Sequence, residues 1–432
     1  MNTTYAILAL VLVVVAIILG FKWNINIGAT CLLFAYVLGV FVMGIAPKTL
    51  INAYPVNMVF TLSAVTFFYG FAAKNGTMQW LAQTFTYASR NHQVISPFVV
   101  FVSTMLLGMI SGPDAATVFM GPILFGVAIE MGLSLQYTVL LICCSASAGG
   151  LFLYGQGGAV INGIIESIGI ETSTGILYSW IICGMEMLCF FVFFLIVYFV
   201  FGIYKVGKYT YEPPKPLTRQ QKLTLILIGL EFLYVLLPTL LKFFIHSDFL
   251  DAWNSKINIG FVCAGFATIA AILKLGDGKD VVKTFVPWST IFMLSGVTIL
   301  MAVAKEAGMV EMLAEVVMTI NNKHMIFFVL GLFAAIMSSF SGATTVVCPM
   351  LFPVAIAIYE PLGMSSPAML LADIAVCAMV TGSMSPFSTG GALALSTAGP
   401  NIQDTVFKKM VINFIIGVPA AAVMFLIISF FV

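Results

Sequence analysis

Two short stretches, Ser111-Gly112-Pro113-Asp114 and Ser341-Gly342-Ala343-Thr344-Thr345, concentrate polar chemistry in the middle of apolar runs. A Gly or Pro break in such a run leaves N–H groups unbonded at the start of one half-helix and carbonyls at the end of the other. The N–H ends attract anions and the carbonyl ends coordinate cations. The hydroxyls of Ser111, Thr117, Ser341, Thr344 and Thr345 add neutral donors and acceptors, while Gly112 and Gly342 let a ligand approach the backbone. Two further breaks share this character. Ser145-Ala146-Ser147-Ala148-Gly149-Gly150 leads through Tyr154-Gly155-Gln156 to Gly157-Gly158-Ala159. Thr381-Gly382-Ser383-Met384-Ser385-Pro386-Phe387-Ser388-Thr389 leads to Gly390-Gly391-Ala392. Gln156, Gly157, Gly158, Ser385, Ser388 and Thr389 therefore join the candidates for a pocket that holds a small solute. No Lys or Arg lies in any of the four segments, so an anion there would be held by dipoles and hydroxyls, an arrangement that permits release.

Acids inside apolar sequence are costly and usually functional. Asp114 stands at the first break, where the second has neutral Thr344. Its two readings are a cation ligand or protonatable coupling site, with Na+ bound near Asp114, and an N-cap for the returning arm. Asp373 precedes Thr381 on an apolar helix and either titrates or bonds a neighbouring helix. Ser147 and Thr344 complete the cation-coupling candidates with these two acids. Glu186 and Glu231 lie in long helices and read as structural pairs. His92, His246 and His324 fall near span ends, which argues against a histidine relay. The cysteines, Cys143-Cys144 among them, read as buried hydrophobes. No HExxH, paired catalytic acids or nucleophile–His set appears, so an enzyme is not expected, nor a cofactor beyond a coupling ion.

The elements that must position these residues are membrane-type. Of 432 residues 61% are hydrophobic and 8% charged, with mean hydropathy +1.11, against roughly 25% charged in soluble domains. Full spans of about 20 apolar residues fall near Thr4–Phe21, Ile25–Ala46, Pro55–Ala73, Leu133–Ile170, Thr174–Tyr204, Leu223–Phe244, Ile257–Leu275, Val286–Ala304, Ser366–Gly399 and Thr405–Val432. The fourth and ninth are interrupted. Val94–Met131 and Met325–Tyr359 are each two short arms around a break, hence re-entrant hairpins. A less apolar interfacial helix precedes each, Thr77–Arg90 and Met309–Asn321.

The chain is also duplicated. Asn26-Ile27-Gly28 recurs as Asn258-Ile259-Gly260, and Pro55 to Gly76 recurs as Pro287 to Gly308, both at an offset of 232. Placing the N-terminus outside puts 13 of 18 Lys and Arg residues on the inner side, a positive-inside bias. The same placement runs Ile25–Ala46 outward and Ile257–Leu275 inward, so the repeats are inverted. Such halves with matching broken segments are the sequence sign of a secondary transporter.

Asn26-Ile27-Gly28, Tyr54-Pro55 and Lys74-Asn75-Gly76-Thr77 resemble the N-terminal domain of MatC-type dicarboxylate carriers. Ser385-Pro386-Phe387-Ser388-Thr389-Gly390-Gly391-Ala392 resembles the second-half signature of that group. The likeness spans essentially the whole chain. More distantly, the layout is similar to the divalent anion–sodium symporters of the ion transporter superfamily, homodimeric elevators that bind dicarboxylate and sodium at Ser-Asn-Thr hairpin tips. Here the tips read Gly112-Pro113-Asp114 and Gly342-Ala343-Thr344 instead, a departure that bears on ion and substrate rather than on fold.

The expectation is an all-α integral membrane protein with two inverted-topology repeats, about ten transmembrane helices, two re-entrant hairpins and two interrupted helices. The first repeat covers 1–204, with scaffold helices in 1–73 and a transport unit in 94–170. Residues 205–222 form a cytoplasmic linker. The second repeat covers 223–432, with scaffold in 223–304 and transport unit in 325–399. By resemblance it is an elevator-type homodimer of the inner membrane carrying a small organic anion, such as malonate or a C4 acid, with Na+ or H+. A cation/proton antiporter using Asp114 or Asp373 is the alternative.

Overall fold

The computed structural model describes the chain apart from residues 1–2, 24, 89–94, 132, 204–212, 242–248, 250–252, 254–255, 287, 321, 340, 399–400 and 432. Arg90, Val94, Tyr204, Phe244, Gly399, His92, His246 and much of the linker therefore lie outside the described residues. Every regular element among the described residues is a helix.

The repeated Asn-x-Gly motif has a local cause. Asn26 and Asn258 each cap the helix that follows: Asn26 Oδ1 accepts from Gly28 N–H at 2.9 Å and Asn258 Oδ1 from Phe261 N–H at 3.2 Å. The glycine then permits close approach. Gly28 lies on the backbone of Phe292 and Met293, and Gly260 lies on the ring of Phe60. Phe60 and Phe292 are themselves matched at the offset of 232. Thus Ile27–Ala35 packs on Trp288–Glu306, and Ile259–Ile272 packs on Val56–Lys74. Asn26 Nδ2 fastens the first pair by donating to the Ser289 carbonyl at 2.9 Å. Lipid supplies no hydrophobic drive between helices, so small residues that admit close packing hold such pairs together.

At one end of this scaffold, Asn75 Nδ2 donates to Thr224 Oγ1 at 2.7 Å and Trp80 Nε1 to the Lys215 carbonyl at 2.8 Å. Lys74 pairs with Asp280 on the exposed helix Gly278–Phe285, and the ammonium holds that carboxyl below its ordinary range.

The first hairpin comprises Ser96–Ser111 and Pro113–Met131. The second comprises Lys323–Ser338 and Ala343–Ile358, bent by 119°. The interrupted helices are Leu135–Ala148 with Gln156–Ser167, and Ala368–Met384 with Thr389–Ser396. The first arm of each hairpin packs on the interrupted helix of its own half. Thr172–Val200 and Gln403–Ile428 each pack against both interrupted helices. Thr172–Val200 and Gln403–Phe431 are the two single helices, among the described residues, long and apolar enough to cross a membrane. Several other expected spans are shorter apolar helices, among them Ile27–Val42 and Ile259–Ile272. The expected span Ile25–Ala46 is the shorter helix Ile27–Val42, capped by Asn26 and π-wound over its second half, Tyr36–Val42. Pro47–Asn52 and Gly278–Phe285 are short helices where loops were expected.

Candidate functional site

The four breaks converge on one cavity of about 140 Å³. Each break is built differently. Gly112 ends the first arm at φ +83°, ψ 158°, a conformation essentially confined to glycine. Pro113 then starts the second arm, where its missing N–H costs nothing. At the other tip Gly342 is ordinary extended backbone at φ −79°, and the chain restarts through the π-wound turn Ala343–Val347. Such π turns occur frequently at functional sites.

In the interrupted helices the glycines face carbonyls. A methyl at Gly155 would strike the Met109 carbonyl, one at Gly157 the Gly150 carbonyl, and one at Gly158 the Phe152 carbonyl. Gly391 lies likewise against the Ser385 carbonyl. The recurrent Gly-Gly-Ala is thus what allows a helix to restart against the backbone of its own break.

From the first half, Asp114, Thr117, Ser147, Gln156 and Gly157 line the cavity, and from the second Ser341, Gly342, Thr344, Thr345 and Ser388 do so. Asp114 is exposed to the cavity, and its Oδ1 lies 3.5 Å from where a methyl on Gly390 would stand. It therefore sits in the first turn of its own helix and beside the start of Thr389–Ser396. Thr345 Oγ1 is buried against Gly342 and has no hydrogen-bond partner among the described residues.

Several candidates have their hydrogen-bonding capacity already committed or lie off the cavity. Ser111 Oγ donates to the Leu107 carbonyl at 2.8 Å and Ser341 Oγ to the Met337 carbonyl at 2.8 Å. Both tip serines are thus back-bonded to their own helices, and only their lone pairs remain. Ser388 Oγ donates within its own break, toward the Gly382 and Ser385 carbonyls, and accepts from Gly391 N–H at 3.2 Å. It is an N-cap. Ser385 is buried and donates to the Ser339 carbonyl at 2.6 Å. Gly112 sits beneath Gln156, where a methyl would lie 2.5 Å from Oε1, and Gly158 packs on the break. Asp373 is fully buried against Gly331 and Cys377 and does not line the cavity. The Thr389 side chain lies outside the described residues.

The cavity also has walls that polar-residue reasoning passes over. Ser383, Gly150 and Leu151 come from the breaks themselves, while Cys143, Met379 and Met293 supply apolar surface. Ser383 stands inside the quoted Thr381-Gly382-Ser383 run. Met293 belongs to the helix Trp288–Glu306, and nothing in an apolar span marks it beyond its place one residue before the repeated Leu294-Ser295. No Lys, Arg or His lines the cavity, and no metal-type cluster of His, Cys, Asp and Glu exists among the described residues.

Comparison with known proteins matches this architecture. The crystal structure of the Alcanivorax borkumensis YdaH transporter, described as having an unusual topology, superposes with a TM-score of 0.56 over 88% of each chain at 15% identity. That likeness is one of fold. Comparison with curated protein sequences gives no match. A family model, the N-terminus of the dicarboxylate carrier protein MatC, matches residues 3–150 and 240–383. With broken helices meeting at a polar cavity and a family match over most of its length, the chain belongs to the MatC dicarboxylate carrier family.

Proposed function

We propose that the protein is a secondary active transporter of a small dicarboxylate, malonate or a C4 acid, moved together with Na+ or H+. The observation that carries this reading is the cavity: four helix starts and four helix ends meet there with one carboxylate and no basic side chain. Each helix N-terminus is worth about half a positive charge. The four starts at Pro113, Gln156, Ala343 and Thr389 together offset roughly the two charges of a dicarboxylate. Asp114 and the helix-end carbonyls near Ser147 and Ser383 add negative charge and oxygen ligands on the other side, which a cation or proton would neutralise. At about 140 Å³ the space holds on the order of ten water-sized groups, suited to a C3 or C4 diacid with an ion.

The exchanged packing of Gly28 on Phe292 and Gly260 on Phe60, and the match of one family model to both halves, support two inverted repeats. In this reading hairpins and interrupted helices form a moving unit, the scaffold helices form an elevator's fixed frame and dimer contact, and the N-terminus lies outside the inner membrane. Asp114 as the one carboxyl among the described wall residues favours a second reading, a cation/proton antiporter with no anion site.

Uptake of radiolabelled mono-, di- and tricarboxylates in proteoliposomes, with Na+ and pH gradients imposed separately, tests both. Concentrative dicarboxylate uptake driven by one gradient supports symport. Cation–proton exchange without carboxylate uptake supports the antiporter. Labelling of single cysteines at 168 and 212 should report opposite sides; one shared side would overturn the inverted topology.

A further inference from the structure

Two glutamates are fully buried in long helices, and their surroundings differ. Glu231 is satisfied: Tyr69 OH donates to Oε2 at 3.0 Å and Cys263 Sγ approaches Oε1 at 3.9 Å. Glu186, on Thr172–Val200, has one partner. The Leu151 N–H donates to its Oε2 at 2.8 Å, while Oε1 is buried with no hydrogen-bond partner. Leu151 and Gly150 both line the cavity, and a methyl on Gly150 would lie 3.4 Å from Oε1. The carboxyl therefore stands one glycine behind the cavity wall and holds the non-helical stretch that forms this wall.

No counter-ion is at hand. Neither 93–204 nor 325–407 contains a Lys, Arg or His. The titratable groups facing Glu186 are Cys183 and Cys189 on its own helix and Cys348 on the second hairpin, with Asp373 beyond Cys189. Leu135–Ala148 and Gln156–Ser167, packed on the same helix, bring Tyr137, Cys143, Cys144 and Glu166 but no cation. An ionised carboxylate with a single N–H donor and no opposite charge pays a large desolvation cost, which is relieved by protonation or by rearrangement that admits water.

We infer that Glu186 carries a proton while the cavity has this shape, and that losing it remodels the break at 149–155, linking substrate affinity to pH through Leu151 and Gly150. Glu186 is thus a positioning residue, separate from Asp114, whose carboxyl faces the cavity directly. The inference rests on reading the cavity as a dicarboxylate site.

The test is the apparent affinity for radiolabelled malonate and succinate from pH 6.5 to 8.5, where carboxylic substrates stay ionised, in native protein, Glu186→Gln and Glu186→Asp. In the native protein affinity should weaken as pH rises, with a slope approaching about tenfold per pH unit for one linked proton. Glu186→Gln keeps an acceptor for Leu151 N–H and cannot titrate, so its affinity should lose the one-proton slope, keep at most the pH dependence contributed by Asp114, and lie near the native acid value. Glu186→Asp, one methylene shorter, should bind more weakly yet keep a pH dependence, which covers the case where the Gln variant does not fold. A second readout needs no substrate. The melting temperature of detergent-purified native protein should fall relative to Glu186→Gln as pH rises, because protonation-linked stability is lost at high pH. Flat native affinity, or a native pH dependence that survives undiminished in Glu186→Gln, overturns the inference. Absent dicarboxylate uptake alongside the melting-temperature difference would instead sink the transport reading and leave the linkage standing.

Discussion

The two hairpin tips perform the same architectural task with opposite chemistry. The first turns through Gly112 in a glycine-only conformation, locks with Pro113 and presents Asp114 to the cavity. The second turns through an ordinary Gly342, restarts as a π turn and presents Thr344 and Thr345, the latter with an unpartnered hydroxyl. Near-symmetric halves thus enclose an asymmetric site: the first tip offers a negative charge suited to a cation or proton, the second neutral donors suited to an anion. Under the proposed function, a duplicated fold would in this way place ion and substrate side by side without any basic residue.

The asymmetry predicts graded consequences. The largest should follow Gly112→Ala, because the residue leaves a conformation that costs other residues about 1–3 kcal/mol and its methyl meets Gln156. With overpacking of a further 1–3 kcal/mol or so, uptake should be lost at near-normal expression. Gly342→Ala, at φ −79°, carries no backbone strain, but its methyl meets Thr345 at Oγ1 and, at 3.2 Å, at Cβ; with the Thr345 side chain turned aside it should retain measurable transport, and equal loss in both would erase the distinction between the tips.

Next, Asp114→Asn should change the Na+ or pH response of uptake at least tenfold while sparing substrate selectivity. An unchanged cation response would reduce Asp114 to a cap for its own helix. Thr345→Val removes the unpartnered hydroxyl beside Gly342, which under the proposed function turns into the cavity when the anion binds, and should weaken dicarboxylate affinity about tenfold, within the roughly 0.5–3 kcal/mol of a donor that meets a charge. Ser388→Ala, by contrast, removes an N-cap worth about 1 kcal/mol, so its melting temperature should drop more than its affinity. The smallest effect belongs to Lys74→Met. It deletes an exposed ion pair, and such pairs contribute little; denaturation midpoints at neutral pH should not move measurably. The Asp280 carboxyl, held below its ordinary range by Lys74, adds stability only above its unfolded-state value, so any difference fades as pH falls through the acid range.

The breaks were legible because Gly, Pro and hydroxyl residues interrupt apolar runs that could not otherwise be interrupted in lipid. The duplication was legible because Asn26 and Asn258 perform the same capping task and Gly28 and Gly260 the same close approach. What each hydroxyl does was not. Ser111 and Ser341 bond back to the carbonyl four residues earlier, as Ser in a helix can, and Ser388 caps, whereas Thr345 is left free; sequence cannot settle that local competition. Met293 was hidden because an apolar residue in an apolar span carries no mark. Glu186 read as one more structural acid because its isolation depends on which elements pack around it, not on its neighbours in sequence.

The most direct test of the cavity as a paired anion and cation site is calorimetric titration of purified protein with malonate, with and without Na+ and at two pH values. The account predicts malonate binding that one cation, Na+ or H+, tightens, that weakens about tenfold in Thr345→Val, and that in Asp114→Asn loses its Na+ dependence or, where H+ is the coupling ion, keeps only the pH dependence linked to Glu186. Malonate binding of unchanged affinity and cation dependence in both variants would contradict it.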